Sequence, residues 1–293
     1  MVYELLLFKI LRKQNKNITM SYKATAAEVS KLRNATGAGM MDSKKALEEA
    51  GGDFDKAVEV LRKQGQKVAA KRADRDSSEG AVIAKINADQ TKGIVIALNC
   101  ETDFVAKNDA FVAMANEIAD LALTVNSKEE LLALPYAGIT VAEKLTEQTG
   151  VIGEKIEIGT FQAIEGAIVN SYIHAGNKIG AVVSLSANVD GASDVARDVA
   201  MQVAAMNPVA LDETQVAQSV IDTELAIAKE TLIAEGKPEN MIENIAQGKL
   251  QKFFKENTLV HQPSIKDGKT SVKDVVKAVN PELKVTGYIR YSL

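Results

Sequence analysis

The sequence predicts an α+β protein, and three observations lead to that class. Residues 22–65 carry three short helical patterns, each closed by a cap residue or glycine. Residues 80–210 hold two successive pairs of apolar runs, each pair followed by a helical period, and the second resembles the first. Residues 211–256 read as two helices joined by a tight turn.

The N-terminal elements follow from their caps. Thr25-Ala26-Ala27-Glu28 has the spacing of a capping box, with Val29 and Leu32 at helical positions behind it. Gly37 and Gly39 break that helix. Asp42 is expected to cap a second helix bearing Ala46, Leu47 and Ala50, which Gly51-Gly52 ends. Asp53 is expected to cap a third, with Phe54, Ala57, Val58 and Leu61 inward and Gly65 at its exit. None is long enough to persist alone, so the three must pack as one module over 22–65. Residues 66–79, rich in Lys, Arg, Asp and Ser, read as a linker that is helical at its start.

The β elements follow from alternation and turn chemistry. Ala81–Ile86 and Ile94–Leu98 flank Asp89-Gln90-Thr91-Lys92-Gly93, a hairpin signature. A helix is expected from Asp109, with Phe111, Met114, Ile118, Leu121 and Leu123 as its apolar members. Glu165-Gly166-Ala167-Ile168 repeats Glu79-Gly80-Ala81-Val82, and 178–185 repeats 92–98 with a one-residue slip. A helix over 193–206 completes the second copy. The expected core therefore has a first half at 80–164, with added helices at 128–134 and 141–150, and a second half at 165–210 and 257–293. The second half is interrupted by the arm at 211–256. Ile221, Leu225, Ala228 and Leu232 form the arm's heptad-like seam, and Gly236-Lys237-Pro238 its turn. A helix near 272–279 and a strand over 283–291 close the chain.

Composition narrows the function. The chain has 293 residues, 46% of them hydrophobic, enough for more than one compact core. Its net charge of −4 disfavours general nucleic-acid binding. No apolar run approaches the ~20 residues of a membrane span. Cys100 is the sole cysteine, which excludes an intrachain disulfide and suits a reducing cytoplasm. Val2–Leu11 is apolar with interspersed charge and is followed by a basic stretch, without the basic start or cleavage site of a secretory signal. Met20 is the expected start, with 1–19 as an upstream extension, and no fold is assigned to 1–21.

Chemistry-bearing motifs are absent. There is no phosphate-binding loop, no dinucleotide fingerprint, no zinc-ligand spacing and no His beside a Ser or Cys nucleophile. No catalytic residue, metal or cofactor is expected. What stands out is apolar residues at turns. Met40-Met41 follows Gly37-Ala38-Gly39; methionine pairs suit partner surfaces, but a small module also needs its apolar residues inside. Thr102-Asp103-Phe104-Val105 lies in a strand-to-helix loop, where Phe104 either caps the local core or projects into a partner. His174 lies in the turn of the second hairpin, and its context alone assigns it no role.

Taken together, Thr36–Leu47 (Thr-Gly-Ala-Gly-Met-Met-Asp-Ser-Lys-Lys-Ala-Leu) and Cys100–Asn108 (Cys-Glu-Thr-Asp-Phe-Val-Ala-Lys-Asn) resemble the two signatures of the elongation factor Ts family. The resemblance covers Tyr22 to Tyr291. It implies a ubiquitin-associated-like N-terminal domain, a two-part core and a coiled-coil arm. It implies guanine nucleotide exchange on elongation factor Tu, with no nucleic acid or membrane partner, and leaves homodimerisation open. By the same resemblance Met40, Met41 and Lys44 touch the partner's G domain, Asp103 and Phe104 enter beside its nucleotide pocket, and Thr102 and Val105 belong to the same partner-binding segment. Ile152, Gly153 and His174 contact it from the core, and Ile265 from later in the chain. Three features depart from the family pattern: the chain stops at Leu293 where some members continue into a helix, Ser43 stands where a Cys is frequent, and His261-Gln262-Pro263-Ser264 is more polar than its counterpart. Two rivals remain at this level: an adaptor carrying a ubiquitin-associated-like domain, and a small transferase using a cleft between the duplicated halves.

Overall fold

The computed structural model describes residues 22–293, a mixture of helices and antiparallel sheets as the sequence predicts. The expectations for residues 1–21 lie outside the described residues. The chain forms two compact units: residues 22–76 with Tyr136–Ile156, and Ser77–Pro135 with Glu157–Leu293.

In the helical unit, α1 (Ala26–Thr36) opens on the expected capping box. The Glu28 amide donates to Thr25 Oγ1 at 3.3 Å and the Thr25 amide to Glu28 Oε2 at 2.8 Å. The Thr25 hydroxyl, donating to Glu28 Oε2 at 2.6 Å, above all favours the anion, and with the Tyr22 hydroxyl and the Thr25 amide it brings the Glu28 carboxyl down to about 2. Gly37, at φ +73°, ends the helix. The second helix, α2 (Met40–Glu49), starts earlier than the sequence suggests. Its N-cap is Gly39, with no side-chain bond, so Asp42 lies in the first turn and does not cap. There it complements the positive end of the helix dipole.

Asp53 does cap α3 (Phe54–Arg72), accepting from the Lys56 amide at 3.1 Å. The helix does not stop at Gly65 but runs on for seven residues, into the expected linker. Gly65 instead serves packing: α7 (Val141–Ile152) crosses it so closely that a Cβ on Gly150 would meet Gly65 Cα at 2.5 Å. That crossing places 136–156 with the helical unit, whereas sequence division had put it in the first half of the core. Val29, Leu32, Ala46, Leu47 and Ala57 form the buried centre, flanked by Phe54, Val58 and Leu61.

The sheet unit shows the duplication. In its first copy β1 (Glu79–Ile86) and β2 (Lys92–Cys100) form the expected hairpin, turned by Asn87, whose Oδ1 accepts from the Thr91 and Lys92 amides. A one-turn helix, α4 (Asp103–Ala106), then α5 (Asp109–Ala122) and α6 (Lys128–Ala133) follow. Two short strands, β3 (Pro135–Tyr136) and β4 (Ile139–Thr140), lead to α7. The chain then returns as β5 (Glu157–Glu165), a strand absent from the sequence expectation, and pairs with β2. In the second copy β6 (Ile168–Ile173) and β7 (Ile179–Leu185) form the hairpin and α8 (Ala192–Met206) the helix. The arm helices α9 (Gln218–Ala234) and α10 (Glu239–Asn257) follow, then α11 (Val272–Val279) and β8 (Val285–Ser292), which pairs with β7. Each three-stranded sheet thus has its second hairpin strand in the middle, and its third strand arrives after an insertion.

The two sheets bury Val82, Ala84, Val95 and Ala97 of the first against Val169, Val182 and Ile289 of the second. Glycines set the spacing: a Cβ on Gly93 would meet Val182 at 2.5 Å, and one on Gly180 would meet Val82 at 2.9 Å. α8 and α11 cover the other face of the second sheet. In the arm, Ala228, Leu232 and Ala246 make the buried seam with Leu225, Ile242 and Ile245 around it.

Candidate partner interface

The Thr102–Val105 segment is built from the end of β2. Cys100 is buried, and its thiol donates to the Thr102 carbonyl at 3.2 Å. Thr102 caps α4 by accepting from the Val105 amide, and Ala106 tucks inward. The Lys107 amide closes the turn on the Asp103 carbonyl, and its Nζ pairs with Asp103 Oδ2 at 2.6 Å. That ammonium holds the Asp103 carboxyl below the usual carboxylate range. Between these fixed points Phe104 projects outward, 84% exposed. Burying a Phe is worth roughly 2–3 kcal/mol, none of which this fold gains from Phe104. The core-capping alternative for this side chain is therefore excluded.

The second hairpin turn lies at the same end of the unit. His174 is exposed, with Nδ1 3.1 Å from the Tyr172 hydroxyl. Its amide donates to the Ile179 carbonyl at 2.9 Å, and Gly176 and Asn177 supply the positive φ angles that the turn requires. Asn177 accepts from the Val82 amide at 2.8 Å, which fastens this turn to β1. The next residue, Lys178, pairs with Glu79 at the start of β1, the strand against which α4 packs.

In the helical unit Met40 and Met41 are 50% and 61% exposed, so neither fills the module's core. Lys44 lies one turn on, also exposed, 3.9 Å from Glu48. Ile152 is half-buried at the end of α7, and Gly153, at φ +81°, caps it. These two belong with the methionines' unit: Val151 is the nearest neighbour that a Cβ on Gly37 would meet, at 3.7 Å. Expectation had grouped them with His174 in the core.

Ile265, 45% exposed, is held by a separate network. Its amide donates to the buried Gln202 side chain at 2.8 Å, and Gln202 in turn donates to Gln262 and to the Pro263 carbonyl. The polar variant of this motif thus has a structural use. Sequence reading missed the exposed Ile227, Ile233 and Met241 of the arm, because each sits off the seam in a run that is apolar on several sides. Among the described residues no group of three or more His, Cys, Asp or Glu side chains is placed to hold a metal. No described helix is long and apolar enough to cross a membrane.

The family described as Elongation factor TS matches residues 101–293. Elongation factor Ts of Christiangramia forsetii is 66% identical over 271 residues, covering 92% of this chain and 99% of that protein. The chain belongs to the elongation factor Ts family. Other members are similar along the same span. Elongation factor Ts of Flavobacterium psychrophilum is 62% identical over 92% of this chain and 98% of its own, and that of Porphyromonas gingivalis 48% over the same shares. Membership connects the chain with translation elongation.

Proposed function

We propose that this chain is the guanine nucleotide exchange factor of elongation factor Tu, acting in the cytoplasm and making or breaking no covalent bond. The observation that carries the reading is Phe104: a large aromatic held almost fully in solvent, on a one-turn helix fixed by Thr102 and Lys107, in a chain of this family. A rigid exposed aromatic beside a carboxylate has the character of a binding anchor.

The mechanism is thermodynamic linkage. A factor that binds nucleotide-free Tu more tightly than Tu–GDP weakens GDP binding by the same factor. Phe104 inserts beside the nucleotide pocket, and Asp103 draws on groups that hold the partner's Mg²⁺. Because Mg²⁺ neutralises phosphate charge, disturbing its ligands loosens GDP. Met40, Met41 and Lys44 supply apolar and charged contact to the G domain, while Thr102 and Val105 keep the wedge in shape. Ile152, Gly153, His174 and Ile265 supply the remaining contacts. Incoming GTP with Mg²⁺ reverses the sequence and releases the factor.

Release of a fluorescent GDP from Tu at fixed Mg²⁺ tests the reading. The wild-type chain accelerates release, and Phe104→Ala lowers the maximal rate about ten- to a hundredfold, the range of a 1–3 kcal/mol coupling. Its circular dichroism and melting stay unchanged, because the side chain leaves no core. Wild-type rates with Phe104→Ala would remove the wedge from the mechanism.

A further inference from the structure

The wedge loop and the His174 turn come from different copies of the duplicated fold, yet charge and hydrogen bonds join them. Asp103 and Lys107 form one ion pair and Glu79 and Lys178 another. The pairs are neighbours: the Lys178 charge adds to that of Lys107 in stabilising the Asp103 carboxylate, and the Glu79 charge adds to that of Asp103 on Lys107. Four charges of alternating sign therefore cross the seam between the copies. The adjacent Asn177–Val82 hydrogen bond fixes the same turn to the same strand.

Neither charge of the Glu79–Lys178 pair belongs to the candidate contact set. Each is about a third exposed, so the pair contributes little to stability, on the order of 0–1 kcal/mol. Its placement is better suited to geometry. Glu79 begins the strand that supports α4, and Lys178 ends the turn that carries His174.

We propose that Glu79 and Lys178 are positioning residues for exchange: they clamp the 174–178 turn against the strand beneath the Asp103–Phe104 helix, so that wedge and turn meet the partner as one rigid element. This rests on the exchange-factor reading. Without the clamp the partner is still met, but the wedge must be ordered during binding, which lowers the maximal rate of release more than the affinity.

The test uses the full chain and fluorescent GDP release from Tu. The variants are Glu79→Lys, Lys178→Glu, the double charge exchange, and Phe104→Ala as control. Each single reversal places like charges together and is expected to cut the maximal rate about tenfold, with less than about a threefold change in the half-saturating concentration. The double exchange restores the pair and returns the maximal rate to within about threefold of wild type. Melting curves of all variants show whether the fold is intact, and the double exchange remains informative even where a single reversal is unstable. Single reversals that release GDP at wild-type rates, while Phe104→Ala does not, would overturn the clamp and leave the exchange function standing. Equal losses in the singles and the double would also overturn it. If Phe104→Ala is itself without effect, the wedge fails first.

Discussion

Ser43 shows how one atom can register a trade-off. Its side chain is completely buried, and among the described residues its hydroxyl finds no hydrogen-bond partner. A buried hydroxyl left unpaired costs roughly 1–3 kcal/mol, whereas a thiol or methyl at the same place costs little. A Cys here would thus be the better-matched residue, and the serine at this position has a physical consequence. Ser43→Ala and Ser43→Cys are each expected to stabilise the helical unit by about 1 kcal/mol, read from urea unfolding followed by circular dichroism. Destabilisation by both would mean that the hydroxyl is satisfied in solution. Phe104 is the opposite case, an apolar side chain left in water. Sequence alone could not decide between its two placements, because a loop aromatic follows no period. The outward direction is decided by the Thr102 cap and the buried Ala106, which together fix which face of α4 points in.

At the scale of elements, glycine is where sequence reading was right about importance and wrong about role. Gly65 looked like a helix end because chain-terminating and closely packed glycines have the same local appearance. Only the partner helix distinguishes them, and Gly150 lies 85 positions away. Most other elements were legible: caps at Thr25 and Asp53, the hairpin turn around Asp89–Gly93 and the arm seam are all local patterns. The strand β5 was not, since its exposed face and irregular pairing with β2 erase the alternation that marks a strand. A pair of substitutions separates the two kinds of glycine. Gly150→Ala would gain helix propensity but force a Cβ to 2.5 Å from a backbone carbon, so it is expected to destabilise the helical unit by about 1–3 kcal/mol. Gly248→Ala in α10 meets nothing within 4 Å and is expected to stabilise the arm by about 0.5–1 kcal/mol. Melting of the two single variants compared with wild type checks both signs. A neutral Gly150→Ala would mean that the α3–α7 crossing relaxes at no cost.

For the whole molecule, duplication supplies the frame. The two copies match at Gly93 and Gly180, which explains the one-residue slip seen in the sequence, and these glycines let the sheets pack face to face. The candidate contacts are divided between the two units: the methionines, Lys44, Ile152 and Gly153 in the helical unit, Phe104 and His174 in the sheet unit. That division has a kinetic consequence under the exchange reading. An anchor that grips the partner equally with and without GDP changes only the concentration needed, whereas a wedge that acts on the pocket changes the maximal rate. Met41→Ala is expected to raise the half-saturating concentration about tenfold with little change in maximal release, because an exposed methionine supplies uniform binding. Phe104→Ala is expected to do the reverse. Sites that share no partner group contribute additively in free energy, so under the exchange reading the double variant should show both losses multiplied. The measurement is release rate against factor concentration for the four proteins. A double variant no worse than Phe104→Ala alone would mean that the methionine surface acts only through the wedge, so that the two units work as one contact.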